Sequence, residues 1–181
     1  MCLWYKSQND SHLYKFDGYD TRDETINKMK ENPIFSEPST CDLYSPLSPI
    51  PDNRKYDVLL IPETIEHVDN VKEFLQNLAP LLKSIQSMIL ITTPNAFSAT
   101  NINNNKYIDG KFRELIHPDH NCYYSAYTLP NTIRKAFSST HIVKFFNIGS
   151  LEDDNTVFAL FSIYPIRNNN NNNNSNNNNN K

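Results

Sequence analysis

Three side chains able to hold a metal or move a proton stand close together, at Glu63, Glu66 and His67. They follow the apolar run 56–61, which predicts a strand buried on both faces. If a helical turn begins there, Glu63 lies beside Glu66 and His67, at spacings i+3 and i+4. Two carboxylates and an imidazole suit a divalent metal, acid–base work or a hydrogen bond to a ligand. The same spacing also suits residues that only cap and orient the following loop.

A second cluster, His117-Pro118-Asp119-His120, precedes a segment containing Tyr123 and Tyr124. Two histidines around an aspartate suit metal ligation or binding of an anionic substrate. A turn with solvated histidines is the alternative. The chemical interpretation gains support only if this cluster meets the first one across a crevice.

Asp20 ends a predicted strand that begins at Tyr14. In α/β domains an acidic residue at this place can accept both hydroxyls of a nucleoside ribose. Aspartate is also an ordinary residue at the end of a strand, so the position alone leaves both roles open.

The elements that position these residues alternate along the chain. Strands are expected at 14–20, 56–61 and 88–92, with a short one near Cys41 and a terminal hairpin of 142–148 and 157–164. Helices are expected after a Thr21–Glu24 capping box, after an Asn70–Glu73 capping box, and from Thr128 to Phe137. Pro80 should bend or shorten the second helix, and 99–110 should be an exposed loop. The alternation predicts an α/β domain with a mostly parallel sheet, helices on both faces and an antiparallel hairpin at its edge.

Composition narrows the function classes. The net charge is −3 and no basic block occurs, so the chain gives no strong nucleic-acid or membrane-surface signal. Three separated cysteines fit free thiols, and no signal peptide or membrane-spanning run is seen, which predicts a cytoplasmic or nuclear protein. The asparagine-rich tail, 167–181, is expected to be disordered.

Three segments together resemble the class I S-adenosylmethionine-dependent methyltransferases. They read ETIEHVDN, TTPNAFS and HPDHNCYYSAYTL, and match a branch with E-x-I-E-H, T-P-N and H-P-D-H motifs over about 14–164. The resemblance implies a Rossmann-like methyltransferase sheet, S-adenosylmethionine as cofactor, and a methyl acceptor that is a small molecule, a glycan or RNA.

The resemblance also implies roles for individual residues. Cofactor contacts would come from Asp20 at the ribose, Asp42 near the adenine, and Pro62 and Glu63 beside the methionine part. The acceptor side would be lined by Thr93, Pro94 and Asn95, with Asp119 in the loop over the pocket and the catalytic set Glu66, His67, His117 and His120.

Small-RNA 2′-O-methyltransferases are similar at one further point, an E-x-x-E-H cluster that holds a metal together with a later histidine. Glu63, Glu66, His67 and either His117 or His120 match that set, which implies Mg²⁺ or Mn²⁺. The flanking NCYYSAYTL looks more like the broader branch, so metal-dependent RNA methylation is kept as an alternative.

One part of the family pattern has no match. No glycine-rich V-L-D-x-G-C-G-x-G stretch occurs between Met1 and Asp20, and the chain has only three glycines. The family's first strand lies between its second and fourth, and losing it would leave unpaired backbone groups costing about 1–3 kcal/mol each.

Three outcomes are open at this place: Leu3–Lys6 forms a replacement strand, strands 14–19 and 56–61 pair directly, or the chain is a fragment that folds poorly. A fragment, or a degenerate copy of the family domain, is the expectation. It divides the chain into an undefined segment 1–13, a partial methyltransferase-like domain 14–166 and the tail. It predicts an N-terminally truncated protein of reduced activity, or an inactive binding module.

Overall fold

A computed structural model describes residues 2–7, 14–36, 38–40, 54–98, 107–108, 111–112, 119–150 and 155–166. The expectations for Asp42, His117, the tail 167–181 and most of the 99–110 loop lie outside these ranges. The short strand expected near Cys41 is present at Ser39–Thr40.

The described chain forms a seven-stranded sheet in the order β3-β2-β1-β4-β5-β9-β8 and a separate two-stranded ribbon, β6-β7. The strands are β1 (Cys2–Ser7), β2 (Tyr14–Asp20), β3 (Ser39–Thr40), β4 (Val58–Pro62), β5 (Met88–Pro94), β6 (Tyr107–Ile108), β7 (Lys111–Phe112), β8 (His141–Ser150) and β9 (Thr156–Pro165). The helices are α1 (Asp23–Lys30), α2 (Val71–Leu78) and α3 (Thr128–Phe137), with 3₁₀ turns at Ile65–His67 and Ala79–Leu81.

The centre of the sheet is filled by β1, which is antiparallel to both of its neighbours. Leu3 lies opposite Gly18 of β2 on one side and Leu60 of β4 on the other. This is the replacement strand, the first of the three outcomes, and a strand is therefore present where the sequence left 1–13 undefined. A hairpin from β1 to β2 needs only a short connection, whereas a parallel first strand would need a long crossover.

Most strands nevertheless point the same way. β3 is parallel to β2, and β5 is parallel to β4; β1 opposes both β2 and β4, so those two share a direction. β9 opposes β5 and β8 opposes β9, so β8 runs with β5. The expected mostly parallel sheet with a C-terminal antiparallel hairpin is confirmed for strand direction, with β1 and β9 reversed.

Helices cover both faces. On one face α2 and α3 bury a core whose strand positions alternate: Leu59, Ile61, Ile89, Ile91, Ala159 and Phe161. On the other, α1 buries Ile26 and Met29 beside β2. A Cβ built on Gly18 would meet the Met29 sulfur at 2.5 Å, so glycine lets this helix approach the strand closely.

The predicted helix boundaries hold with one correction. Thr21 does not cap α1: the N-cap is Arg22, whose guanidinium has no acceptor and therefore makes no side-chain cap bond. The Arg22 N–H donates to the Asp20 carboxylate at 2.9 Å. Asn70 caps α2 as predicted, since its Oδ1 accepts from the Glu73 N–H at 3.3 Å. Pro80 ends α2 in a 3₁₀ turn, and α3 has the predicted bounds.

β5 runs two residues beyond its predicted end because β9 pairs with it as far as Pro94 opposite Thr156. The described helices include none with the length and apolar character needed to span a membrane.

The central position of β1 can be tested with Trp4→Pro. Proline removes a backbone donor from the middle of the sheet, so we expect the free energy of unfolding to fall by about 1–3 kcal/mol per orphaned group. Urea denaturation measures the change. Trp4→Val is the control, because it changes the side chain while keeping the N–H and a high strand propensity. Equal stability of the two variants would contradict a central β1.

Candidate functional site

The candidate site lies at the end of the sheet where the carboxyl-terminal ends of β2, β4 and β5 meet. Glu63 follows β4 directly and has a φ of 44°, in the left-handed region that non-glycine residues rarely adopt. Its N–H still donates to the Thr92 carbonyl at 2.9 Å, and its Oε1 accepts from the Thr92 hydroxyl at 3.0 Å. Partial burial raises the pKa of the Glu63 carboxyl, against the opposing effect of that hydrogen bond. The turn after β4 is thus held in a strained conformation by the neighbouring strand.

Glu66 lies in the 3₁₀ turn and is only 2% exposed. Its Oε2 accepts from the hydroxyl of Thr93, a fully buried residue of β5, at 2.9 Å. Burial raises the pKa of Glu66; hydrogen bonding opposes this, and the Glu63 charge adds to it. A carboxyl so deeply buried, with two acidic groups near each other, would be stabilised by a cation or a donated proton.

His67 connects the two sequence clusters. Its Nδ1 lies 3.1 Å from the Asp119 carbonyl oxygen, and its ring meets that of His120 with centroids 4.7 Å apart and planes at 80°. A carbonyl partner makes Nδ1 the protonated nitrogen, which leaves Nε2 as the lone-pair atom. That Nε2 lies 4.0 Å from Oε1 of Glu66.

Glu66, His67 and His120 each offer one ligand atom, and these atoms all lie within 4.8 Å of one another. The condition set by the sequence, that the two clusters meet, is therefore satisfied. The Glu63 carboxyl, in contrast, bonds to Thr92, so the structure brings together three of the four residues expected to hold a metal.

Asp20 ends β2, separated from β4 by β1. It is 6% exposed, and its Oδ1 accepts from the Arg22 N–H at 2.9 Å and from Arg22 Nε at 3.2 Å. Burial alone would raise the pKa of this carboxyl, but the hydrogen bonds from Arg22 outweigh burial and hold it below its usual range. The residue is an ionised acceptor at the sheet edge, with Pro62 at the end of β4 on the far side of β1.

The remaining acceptor-side residues sit at the end of β5. Thr93 directs its hydroxyl to Glu66, a partner that its sequence motif did not reveal. Asn95 forms a parallel bridge with Tyr124, and the Ala96 N–H donates to the Tyr124 carbonyl at 3.0 Å. These bonds bring the segment after His120 against the end of β5.

Asn121 is a residue that sequence reasoning missed. It follows the H-P-D-H segment directly and bonds to the turn that carries Glu66 and His67. Its only sequence signal was its place beside His120.

The model of a family described as a methyltransferase domain matches residues 3–152. The chain belongs to this methyltransferase domain family. The match includes β1 from Leu3 onward, all the described site residues and the hairpin strand β8. No curated protein sequence matches the chain significantly.

Solved structures show the same fold at low sequence identity. The plantazolicin methyltransferase BpumL in complex with SAH is 18% identical, with a TM-score of 0.61, covering 83% of this chain and 66% of that chain. A putative methyltransferase bound to the Haloferax volcanii Trm112 activator is 11% identical, with a TM-score of 0.57, covering 83% and 72%. The methyltransferase domain of bacterial CtHen1-CN is 17% identical, with a TM-score of 0.51, covering 81% and 76%. The chain therefore has the α/β Rossmann-like methyltransferase fold and is a methyltransferase-like protein.

The raised pKa of Glu66 gives a stability prediction. The folded state holds this proton more tightly than the unfolded state, so stability falls as pH rises from the unfolded pKa through the raised folded value. Glu66→Gln cannot ionise, so we expect it to be more stable than wild type at pH 7 and to lose part of the pH dependence.

Chemical denaturation between pH 4 and 8, without divalent metal, measures this effect. Glu31→Gln is the control, because Glu31 is exposed at the end of α1. Parallel pH profiles for wild type and Glu66→Gln would contradict the predicted effect of burial.

Proposed function

We propose that this chain is an S-adenosylmethionine-dependent methyltransferase whose acceptor is held by Glu66, His67 and His120. The observation that carries the proposal is the meeting of these three side chains after the end of β4, at the same end of the sheet as Asp20 of β2. Ligands of open α/β sheets bind outside the carboxyl ends of the strands, and this is where the cluster stands.

The cofactor part of the proposal rests on Asp20, with Pro62 and Glu63 on the methionine side. The lowered pKa of Asp20 keeps it ionised, and a buried ionised carboxylate is suited to accept ribose hydroxyls. Bound S-adenosylmethionine would supply an electrophilic methyl group. Because β1 begins at this edge rather than ending here, the described residues provide no glycine-rich loop after a parallel first strand. We therefore propose reduced cofactor affinity.

The acceptor part follows from the His67 tautomer. With Nδ1 donating to the Asp119 carbonyl, Nε2 carries the lone pair, and it would take the proton of an acceptor hydroxyl as the methyl group transfers. Glu66, held by Thr93, would stabilise the imidazolium formed, in the manner of a carboxylate beside a basic histidine.

Metal-dependent RNA 2′-O-methylation is the second candidate, and a specific observation favours its metal site. A histidine that donates its other ring nitrogen to a carbonyl is typical of metal ligands, and His67 does so. Glu66 and His120 complete a set of one oxygen and two nitrogen ligands that suits Mn²⁺ or Zn²⁺. The net charge of −3 gives no general attraction for RNA, so recognition would be local.

A non-catalytic binding module is the third candidate, favoured by the direction of β1. If the reversed strand prevents cofactor binding, the cluster would serve recognition alone. A small-molecule, glycan or RNA acceptor would then be a ligand rather than a substrate.

Cofactor binding is tested by calorimetric titration with S-adenosylmethionine and S-adenosylhomocysteine. We expect binding in wild type and a loss of about 10- to 100-fold in Asp20→Ala, since hydrogen bonds to a charged group are worth about 1.5–3 kcal/mol. Asp23→Asn is the control, because Asp23 is a nearby exposed carboxylate. Absence of binding at millimolar ligand would refute the enzyme proposals and leave the binding module.

Metal dependence is tested by thermal melting with Mn²⁺ or Mg²⁺. We expect Mn²⁺ to raise the melting temperature, and the effect to disappear in Glu66→Ala and His120→Ala because each removes a ligand. Glu63→Gln should keep most of the effect, since Glu63 bonds to Thr92. Equal melting temperatures with and without metal would reject this candidate.

The acceptor class is tested with a labelled methyl donor and two short RNAs, one ending in ribose and the other in 2′-deoxyribose. Metal-dependent label transfer to the ribose end alone would support 2′-O-methylation. Equal labelling of both RNAs would exclude that site of transfer.

A further inference from the structure

The site depends on a contact between two distant parts of the chain. The turn Ile65–His67 and the segment 119–122 are more than fifty residues apart in the sequence. The two segments are not paired as strands of a sheet. Hydrogen bonds between individual groups join them instead. His67 Nδ1 bonds to the Asp119 carbonyl at 3.1 Å, and the Cys122 N–H donates to the Glu66 carbonyl at 3.0 Å.

Asn121 contributes three further bonds across the same contact. Its backbone N–H donates to the Glu66 carbonyl at 2.7 Å. Its side-chain Nδ2 donates to the His67 carbonyl at 2.9 Å and to Oδ1 of Asp69 at 2.6 Å. Asn121 therefore fixes the register of the segment against Glu66 and His67, two of the three residues of the first cluster.

The asparagine side chain suits this contact. The amide NH₂ has two donors, and each finds an acceptor here. Aspartate would place a second carboxylate against Asp69, and alanine would remove both bonds. Asn121 is an exposed residue next to His120, so replacing it creates no cavity and acts on the position of the histidine.

We propose that Asn121, together with Asp69, is a positioning residue that holds His120 against His67 and Glu66. This inference rests on the proposed role of those three side chains as the acceptor or metal site. Neither Asn121 nor Asp69 needs to touch the substrate or a metal.

The positioning role of Asn121 is tested first in the metal-free protein, by nuclear Overhauser contacts between the His67 and His120 rings. We expect Asn121→Ala to lose the ring contact, with α-helical content unchanged. Asn131→Ala, an exposed asparagine on α3, is the control and should leave the ring contact as in wild type. An unchanged ring contact in Asn121→Ala would overturn the proposal.

A swap of donor and acceptor separates positioning from general destabilisation. Asn121→Asp should disrupt the ring contact more than Asn121→Ala, because two carboxylates then face each other. Combining it with Asp69→Asn returns a donor to the pair and should restore part of the contact, because the bond to the His67 carbonyl stays lost in both variants. Failure of this rescue while both proteins remain folded would overturn the role of Asp69.

The functional consequence is measured with Mn²⁺ as the probe. We expect Asn121→Ala to weaken Mn²⁺ binding about 10-fold, as is typical of partners that orient metal ligands. Unchanged Mn²⁺ affinity would count against a positioning role. If wild type binds no Mn²⁺, the metal candidate fails by itself, and the ring contacts in metal-free protein still decide whether Asn121 positions His120.

Discussion

The structure depends on satisfying the backbone hydrogen bonds at the centre of the sheet. Strands β2 and β4 each need a partner there, since buried unpaired N–H and C=O groups are costly. β1 meets this need by folding back as a hairpin and pairing with both. Because β1 fills this central position, the other strands and the helix-covered core can keep the arrangement of a methyltransferase fold.

The direction of β1 has an unequal effect on the two halves of the site. The reversed β1 does not disturb the ends of β4 and β5. These two strands are parallel and paired from Val58 opposite Met88 to Pro62 opposite Thr92. Glu66 and Thr93 are brought together by that register. The cofactor half of the site keeps a buried, ionised Asp20 at the end of β2. The strand next to β2, however, is β1, which runs in the opposite direction. The acceptor half is therefore the better defined part of the proposed site.

Local sequence patterns predicted the elements well where one segment carries the signal. The apolar spacing of 71–78 and the Asn70 cap act within one helix, and α2 begins as predicted. The alternation in 157–164 likewise gave β9. Thr21 failed as a cap: α1 begins at Asp23 with Arg22 as its N-cap, and the Arg22 N–H bonds to the carboxylate of Asp20 at the end of β2. β5 was predicted too short because its last residues are fixed by β9, a distant strand.

By itself, the sequence determined the chemical content of the site: which carboxylates and imidazoles follow which strands, and that the motifs resemble those of methyltransferases. These properties reside in residue types and short spacings, which the chain carries without folding. Tertiary structure alone decided the direction of β1, the contact between His67 and His120, and the bonds that Asn121 makes to the turn. Each of these joins groups that are not neighbours in sequence, so it depends on strand pairing and on the competition among hydrogen-bond partners in the folded chain.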